Sequence, residues 1–121
     1  MIKVFHYTSP GVRTHVANVW NTSRLEEFLQ LEEAFRLTQN IDGSWSRDKF
    51  FEDGEENRDF DNRVELLVPL IQDDNGKIWG LRSTMMFDEM ELNDKTYVVK
   101  AAGFALKSST PFENINQIGV A

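Results

Sequence analysis

Arg82 set among small residues is the clearest chemical feature of this 121-residue sequence. If residues 77–87 and 96–107 form paired strands, Arg82 shares one sheet face with Gly80, Thr84, Tyr97, Ala101, Gly103 and Ala105. Side-chain bulk then falls away around the guanidinium. Glycine inside a strand marks close approach of another backbone or of a ligand. A shallow groove with a central arginine suits a carboxylate, a phosphate or an acidic partner chain. The competing reading is structural: the C-terminal segment, or a second subunit in a homodimer, covers this face. Glu32 is the other candidate contact. On a helical wheel it falls inside an apolar arc, where a carboxylate is either half of a Glu32–Arg36 ion pair or a ligand contact.

Other chemistries lack their residues. The chain has no cysteine and only two histidines, His6 and His15, so thiolate catalysis, disulfides and the usual zinc sites are excluded and no metal is expected. The run Asp73-Asp74-Asn75-Gly76 matches only the middle of a calcium loop, because Ile71 and Arg82 stand where its first and last oxygen ligands belong. No glycine-rich phosphate loop, nucleophile elbow or RNA-binding aromatic signature is found. A net charge of −7, from 20 acidic and 13 basic side chains, disfavours general binding to nucleic acid or anionic lipid. A basic partner would instead meet the acidic residues Glu26, Glu33 and those of 52–61. Residues 1–6 lack an apolar signal-peptide core and no stretch approaches the roughly 20 apolar residues that span a bilayer. A cytoplasmic location is therefore expected.

One stretch carries a resemblance. Phe5-His6-Tyr7-Thr8-Ser9 is similar to the first motif of ADP-ribosyltransferase-like domains, in which a histidine and small hydroxyl residues at a strand end hold NAD. The resemblance covers five residues. It implies that His6 and Thr8 contact the nucleotide and that Glu91, or Glu89, of Glu89-Met90-Glu91 is the catalytic carboxylate.

The elements that position these residues follow from pattern and turn chemistry. Residues 64–71, 77–87 and 96–107 read as three antiparallel strands in a meander, joined by turns at Asp73–Gly76 and Asn93-Asp94, where Asn, Asp and Gly tolerate positive φ. The first turn sets Gln72 opposite Lys77 and Leu70 opposite Trp79. The second sets Leu92 opposite Lys95, Phe87 opposite Lys100 and Ser83 opposite Phe104. Together they gather Leu66, Val68, Leu70, Trp79, Leu81, Met85, Phe87, Val98, Ala102, Phe104 and Leu106 on one face. Pro69 cannot donate to a ladder, which places its strand at a sheet edge or bulge. Residues 2–8 and 12–20 are expected as N-terminal strands, broken at Pro10-Gly11 and lying beside 96–107. Residues 24–38 are expected as the main helix, begun by a Ser23/Glu26 capping box, with Leu25, Phe28, Leu29, Leu31 and Phe35 facing the sheet. Residues 44–53 are expected as a short second helix capped by Ser46 and ended by Gly54. Phe112, Ile115, Ile118 and Val120 are expected to dock on the domain.

The sequence thus predicts a single α+β domain over 1–121, a sheet of about five antiparallel strands packed by one main helix. Composition gives it ample core, with 40% hydrophobic residues. Its expected role is binding rather than catalysis, without a cofactor. The type is an inhibitor-like accessory protein of phages or mobile elements, engaging a protein partner through the Arg82 face or the acidic surface.

Overall fold

A hairpin of β1 (Ile2–Ser9) and β2 (Val12–Val19) forms the middle of the fold, turning at Gly11 with φ +78°. The computed structural model describes residues 1–107. Val4 pairs with Ala17 but Phe5 with His15, so Val16 is an extra, bulged residue, and Val16 and Ala17 are both buried. Around this hairpin lies a six-stranded sheet in the order β3-β2-β1-β6-β7-β8, with β3 (Val64–Leu66), β6 (Glu89–Leu92), β7 (Lys95–Lys100) and β8 (Gly103–Leu106). All neighbours are antiparallel. One helix, α1 (Glu27–Leu37), covers one face, and β4 (Ile71–Gln72) and β5 (Ile78–Trp79) form a separate two-stranded hairpin. The α+β class holds, with one strand more in the main sheet than expected. The core joins Ile2, Val4, Val19, Met90, Leu92 and Val99 of the sheet to Leu31, Ala34 and Leu37 of α1 and to Trp45.

The meander is where sequence and structure part. The Asn93-Asp94 turn has both residues at positive φ and sets Leu92 opposite Lys95, as the turn chemistry requires. The other hairpin pairs Ile71 with Trp79, one residue from the expected register. Asp73 takes the Lys77 position across a three-residue loop that ends in left-handed Gly76, the bulged form of a tight turn. Residues 64–71 do not form one strand with 77–87 as partner. β3 is an outer strand, but it pairs with β2, and Pro69 lies beyond its end. Residues 96–107 are two strands, because Lys100 and Gly103 pair across a turn at Ala101-Ala102. β1 lies beside β6, not beside 96–107.

Residues 80–86 leave the sheet for a definite reason. Their backbone groups bond to the chain that follows α1: Leu81 N–H to Ser46 Oγ (2.7 Å), Thr84 N–H to Thr38 O (3.0 Å), and the Leu81, Arg82 and Thr84 carbonyls to Asn40, Trp45 and Gln39 side chains. Every one of these groups finds a partner without a neighbouring strand. The expected apolar face is accordingly split: Trp79, Met85, Phe87 and Leu106 are exposed, whereas Leu66, Val68, Leu81 and Phe104 pack on the core.

Two helix expectations are corrected. Residues 44–53 are irregular: Ser46 caps nothing, and buried Asn57 donates to the Ser44 and Asp48 carbonyls, which a helix would need. Gly54 does adopt a left-handed φ of +88°, but in a turn closed by its N–H to Phe51 O. Helix α1 starts after Glu26 with no side-chain cap bond, and its buried face is Gln30, Leu31, Ala34 and Leu37. Gln30, which a helical wheel sets opposite the arc of Leu25, Phe28 and Leu29, is buried because its amide accepts from Thr22 Oγ1 and donates to Leu25 O, both at 2.9 Å. Phe28 and Leu29, expected inside, are exposed. The expected docking of 112–121 falls outside the described residues.

Candidate functional site

Asp88, at the entry to β6, organises the Arg82 region. Its side chain is 2% exposed and accepts two bonds from Arg82 (2.6 and 2.9 Å), one from Tyr7 N–H (3.1 Å) and one from Met85 N–H (2.8 Å). Burial pushes its pKa up, but the Arg82 guanidinium, the two backbone donors and His6 outweigh this and hold it below the usual carboxylate value. The bond to Met85 folds 85–87 into a bulge at the entry to β6, where the Asp88 N–H also bonds Met85 O. Phe87 sits there at φ +76°, a conformation unfavourable for a bulky residue, with its N–H on Val99 O. Met85, Met86 and Phe87 are exposed as a consequence.

These residues, with Tyr7, Val98, Glu89 and Lys107, line an open groove of about 550 Å³. Its floor is the sheet face that α1 leaves uncovered. Glu89 lies there almost fully buried, bonded to Arg13 Nε (2.7 Å), the Tyr7 hydroxyl (2.8 Å) and Lys107 Nζ (2.9 Å). Burial raises its pKa, and the bonds from Lys107, Tyr7 and Arg13 more than reverse that, leaving it ionised at neutral pH. Arg13 also reaches Glu91 (2.8 Å) and lies over the Phe5 ring, which stacks on His15.

Beneath the groove runs a buried polar chain. Thr38 Oγ1 donates to Ala34 O, so Thr84 donates to Thr38 (2.7 Å) and accepts from His6 Nε2 (2.8 Å). His6 is 2% exposed, edge-on to Trp45, and 3.9 Å from Asp88. Burial lowers its pKa from 6.5 to about 4, with Asp88 opposing and Arg82 adding to the shift.

The six residues picked out from the sequence fall in five places. Arg82 lines the groove, and Thr84 lies below it in the His6 chain. Gly80 is packed against the loop after α1, where an added Cβ would stand 2.2 Å from Ser44 Oγ and 2.8 Å from Ser46 Oγ. Its lack of a side chain serves packing. Gly80→Ala is expected to cost about 1–3 kcal/mol in a urea melt, and an unchanged midpoint would show that the loop simply yields. Gly103 and Glu32 meet in a smaller cleft of about 220 Å³ between α1 and the β7–β8 turn, with Phe35, Lys100 and Phe104. Glu32 is exposed there, and Arg36 pairs with Glu33 instead of Glu32. Tyr97 faces α1, and its hydroxyl bonds Glu27. Of the residues carried by the transferase resemblance, His6 is sealed in the interior, Thr8 bonds Thr14, Glu89 is enclosed by its three donors, and Glu91 is held by Arg13.

Sequence reasoning missed Asp88, the exposed Met85-Met86-Phe87 trio and the Glu89 cluster. No local signal marks Asp88, because Tyr7, one of its donors, lies 81 positions away. Among the described residues no group of three or more histidine and acidic side chains is placed to hold a metal ion, and no helix is long and apolar enough to cross a membrane. Compared with protein-family models, curated proteins and solved structures, the chain matches none.

Proposed function

We propose that this protein is a protein-binding module that engages its partner through the groove around Arg82. The observation that carries this reading is the Met85-Met86-Phe87 bulge. Three consecutive apolar side chains stand 52%, 42% and 62% exposed, one on a left-handed backbone, and all are held outward by a buried carboxylate. Folding gains little from apolar surface left in water, whereas a binding surface gains most from such anchors. The buried titratable groups nearby are each occupied: Glu89 and Asp88 by their donors, His6 by Thr84. That supports binding over catalysis. The acidic surface at 52–61 fits less well, since Asp59 caps the Ile41 and Gly43 N–H groups and Glu52 pairs with Arg47.

The test uses exposed residues, because Arg82 itself holds Asp88 and its reversal would unfold the region. A partner captured from the native host is measured against Met86→Glu and Glu55→Lys. Met86→Glu is expected to weaken binding at least about tenfold, the loss typical of one interface anchor, and Glu55→Lys to leave it unchanged. The opposite pattern would move the interface to the acidic surface.

A further inference from the structure

The groove has an ordering of charge that its sequence does not reveal. Beside the exposed apolar trio, the Arg82–Asp88 and Lys107–Glu89 pairs are stacked with the carboxylate inward and the cation outward. Asp88 is 2% exposed beneath Arg82 at 39%, and Glu89 is 4% exposed beneath Lys107 at 42% and Arg13 at 32%. Among these pairs of described residues, Glu91, 30% exposed at the far side of Arg13, offsets this outward positive charge. A chain of net charge −7 thus presents cationic heads around Met85, Met86 and Phe87. We infer that the groove takes an acidic segment of a partner protein, whose apolar side chains seat on Met85, Met86 and Phe87 while its carboxylates meet Lys107 and Arg82. This rests on the groove being the interaction surface proposed above.

Geometry favours that occupant. The Lys107 ammonium has three N–H donors and gives one to Glu89 among the described residues, so it has donors for an incoming carboxylate. Arg82 spends its terminal N–H groups on Asp88, Ser83 O and Tyr7 O, and so contributes charge rather than new bonds. Methionine side chains adapt to varied apolar partners, which suits a segment recognised by composition more than by shape. A phosphate backbone would meet cations interrupted by apolar surface and would leave Met85, Met86 and Phe87 without apolar partners.

The four methionines make the test direct, because Met85 and Met86 are in the groove, Met90 is in the core and Met1 is elsewhere on the surface. Full-length protein carrying ¹³C-methyl methionine is titrated with four probes. They are an acidic peptide with Leu and Phe anchors, its Lys-for-Glu counterpart, its Ser-for-Leu/Phe counterpart, and a single-stranded oligonucleotide. The expected result is saturable movement of the Met85 and Met86 methyls by the first probe alone, with Met1 and Met90 still. Affinity should fall about tenfold as salt rises from low to molar strength. Movement by the lysine peptide instead would overturn the acidic partner while leaving the groove as the interface. Equal movement by the oligonucleotide, or silence of both methyls, would also overturn it. So would a shift on dilution of the free protein, which puts a second copy in the groove, or a shift caused by Phe112→Ser with Ile115→Ser, which puts the chain's own terminus there. Loss of the proposed interface itself would show separately, as native-partner binding unaffected by Met86→Glu.

Discussion

Asp88→Ala is expected to lower the unfolding free energy by about 2–4 kcal/mol, chiefly the cost of leaving two backbone N–H groups without their buried acceptor, since Arg82 at 39% exposure stays partly hydrated. The carboxylate is 2% exposed and accepts four bonds, two from Arg82 and one each from Tyr7 and Met85 backbone N–H groups. Alanine leaves both backbone donors unpaired at the junction of β1 and β6 and leaves the guanidinium beside apolar surface. Urea unfolding followed by tryptophan fluorescence reads the loss. Adding Arg82→Met to Asp88→Ala should recover roughly 1 kcal/mol or more, since the orphaned charge then disappears. A loss below about 1 kcal/mol for Asp88→Ala would show that water replaces the carboxylate, and that it does not organise the groove. Because Asp88 also holds the Met85–Phe87 bulge, the Met85 and Met86 methyl signals should change in the same variant.

The second large effect is on acid stability. The folded-state pKa of His6 is about 4 against an ordinary value of 6.5, chiefly through burial. A lowered histidine contributes nothing to pH dependence above its unfolded value, where it is neutral in both states. Between pH 6.5 and 4 the unfolded chain takes up a proton that the folded chain refuses, so stability falls as pH falls, by about 3 kcal/mol in total. Asp88 and Glu89 act lower: their folded pKa values are depressed, so their contribution is full above the ordinary carboxylate range and is lost as pH falls through their folded values. The two windows therefore separate near pH 4. Replacing His6 by glutamine, which can still donate to Thr84, should flatten stability between pH 6.5 and about 4.5 and leave the steeper acid loss below it. Equal slopes in the two proteins over the upper window would mean that His6 takes its proton in the folded state.

What was legible in the sequence was whatever local chemistry decides. The α+β class, both N-terminal strands, the Pro10-Gly11 break, the single long helix and the Asn93-Asp94 hairpin register all follow from turn residues and alternation within a few positions. Arg82 was also legible as a residue of interest, though for a reason the fold replaced. Gly80 is small because Ser44 and Ser46 press on it, and Gly103 because the β7–β8 turn puts it at φ +121°.

The rest was decided by contacts between distant residues. Alternation over 77–87 reads as a strand, but strand formation needs a neighbour with free backbone groups, and Ser46, Thr38, Asn40 and Trp45 offered partners first. A helical wheel ranks Gln30 as outward because it cannot know that Thr22 and Leu25 will satisfy the amide. The groove is the clearest case. Sequence alone determined that Arg82 lies in a chain able to fold as a sheet over one helix. Only the tertiary structure decided that Asp88 and Glu89 lie beneath the cations and that Met85, Met86 and Phe87 stand above. The order of charges along a chain says nothing about which member of an ion pair is buried; that is set by the packing that excludes water from one of them.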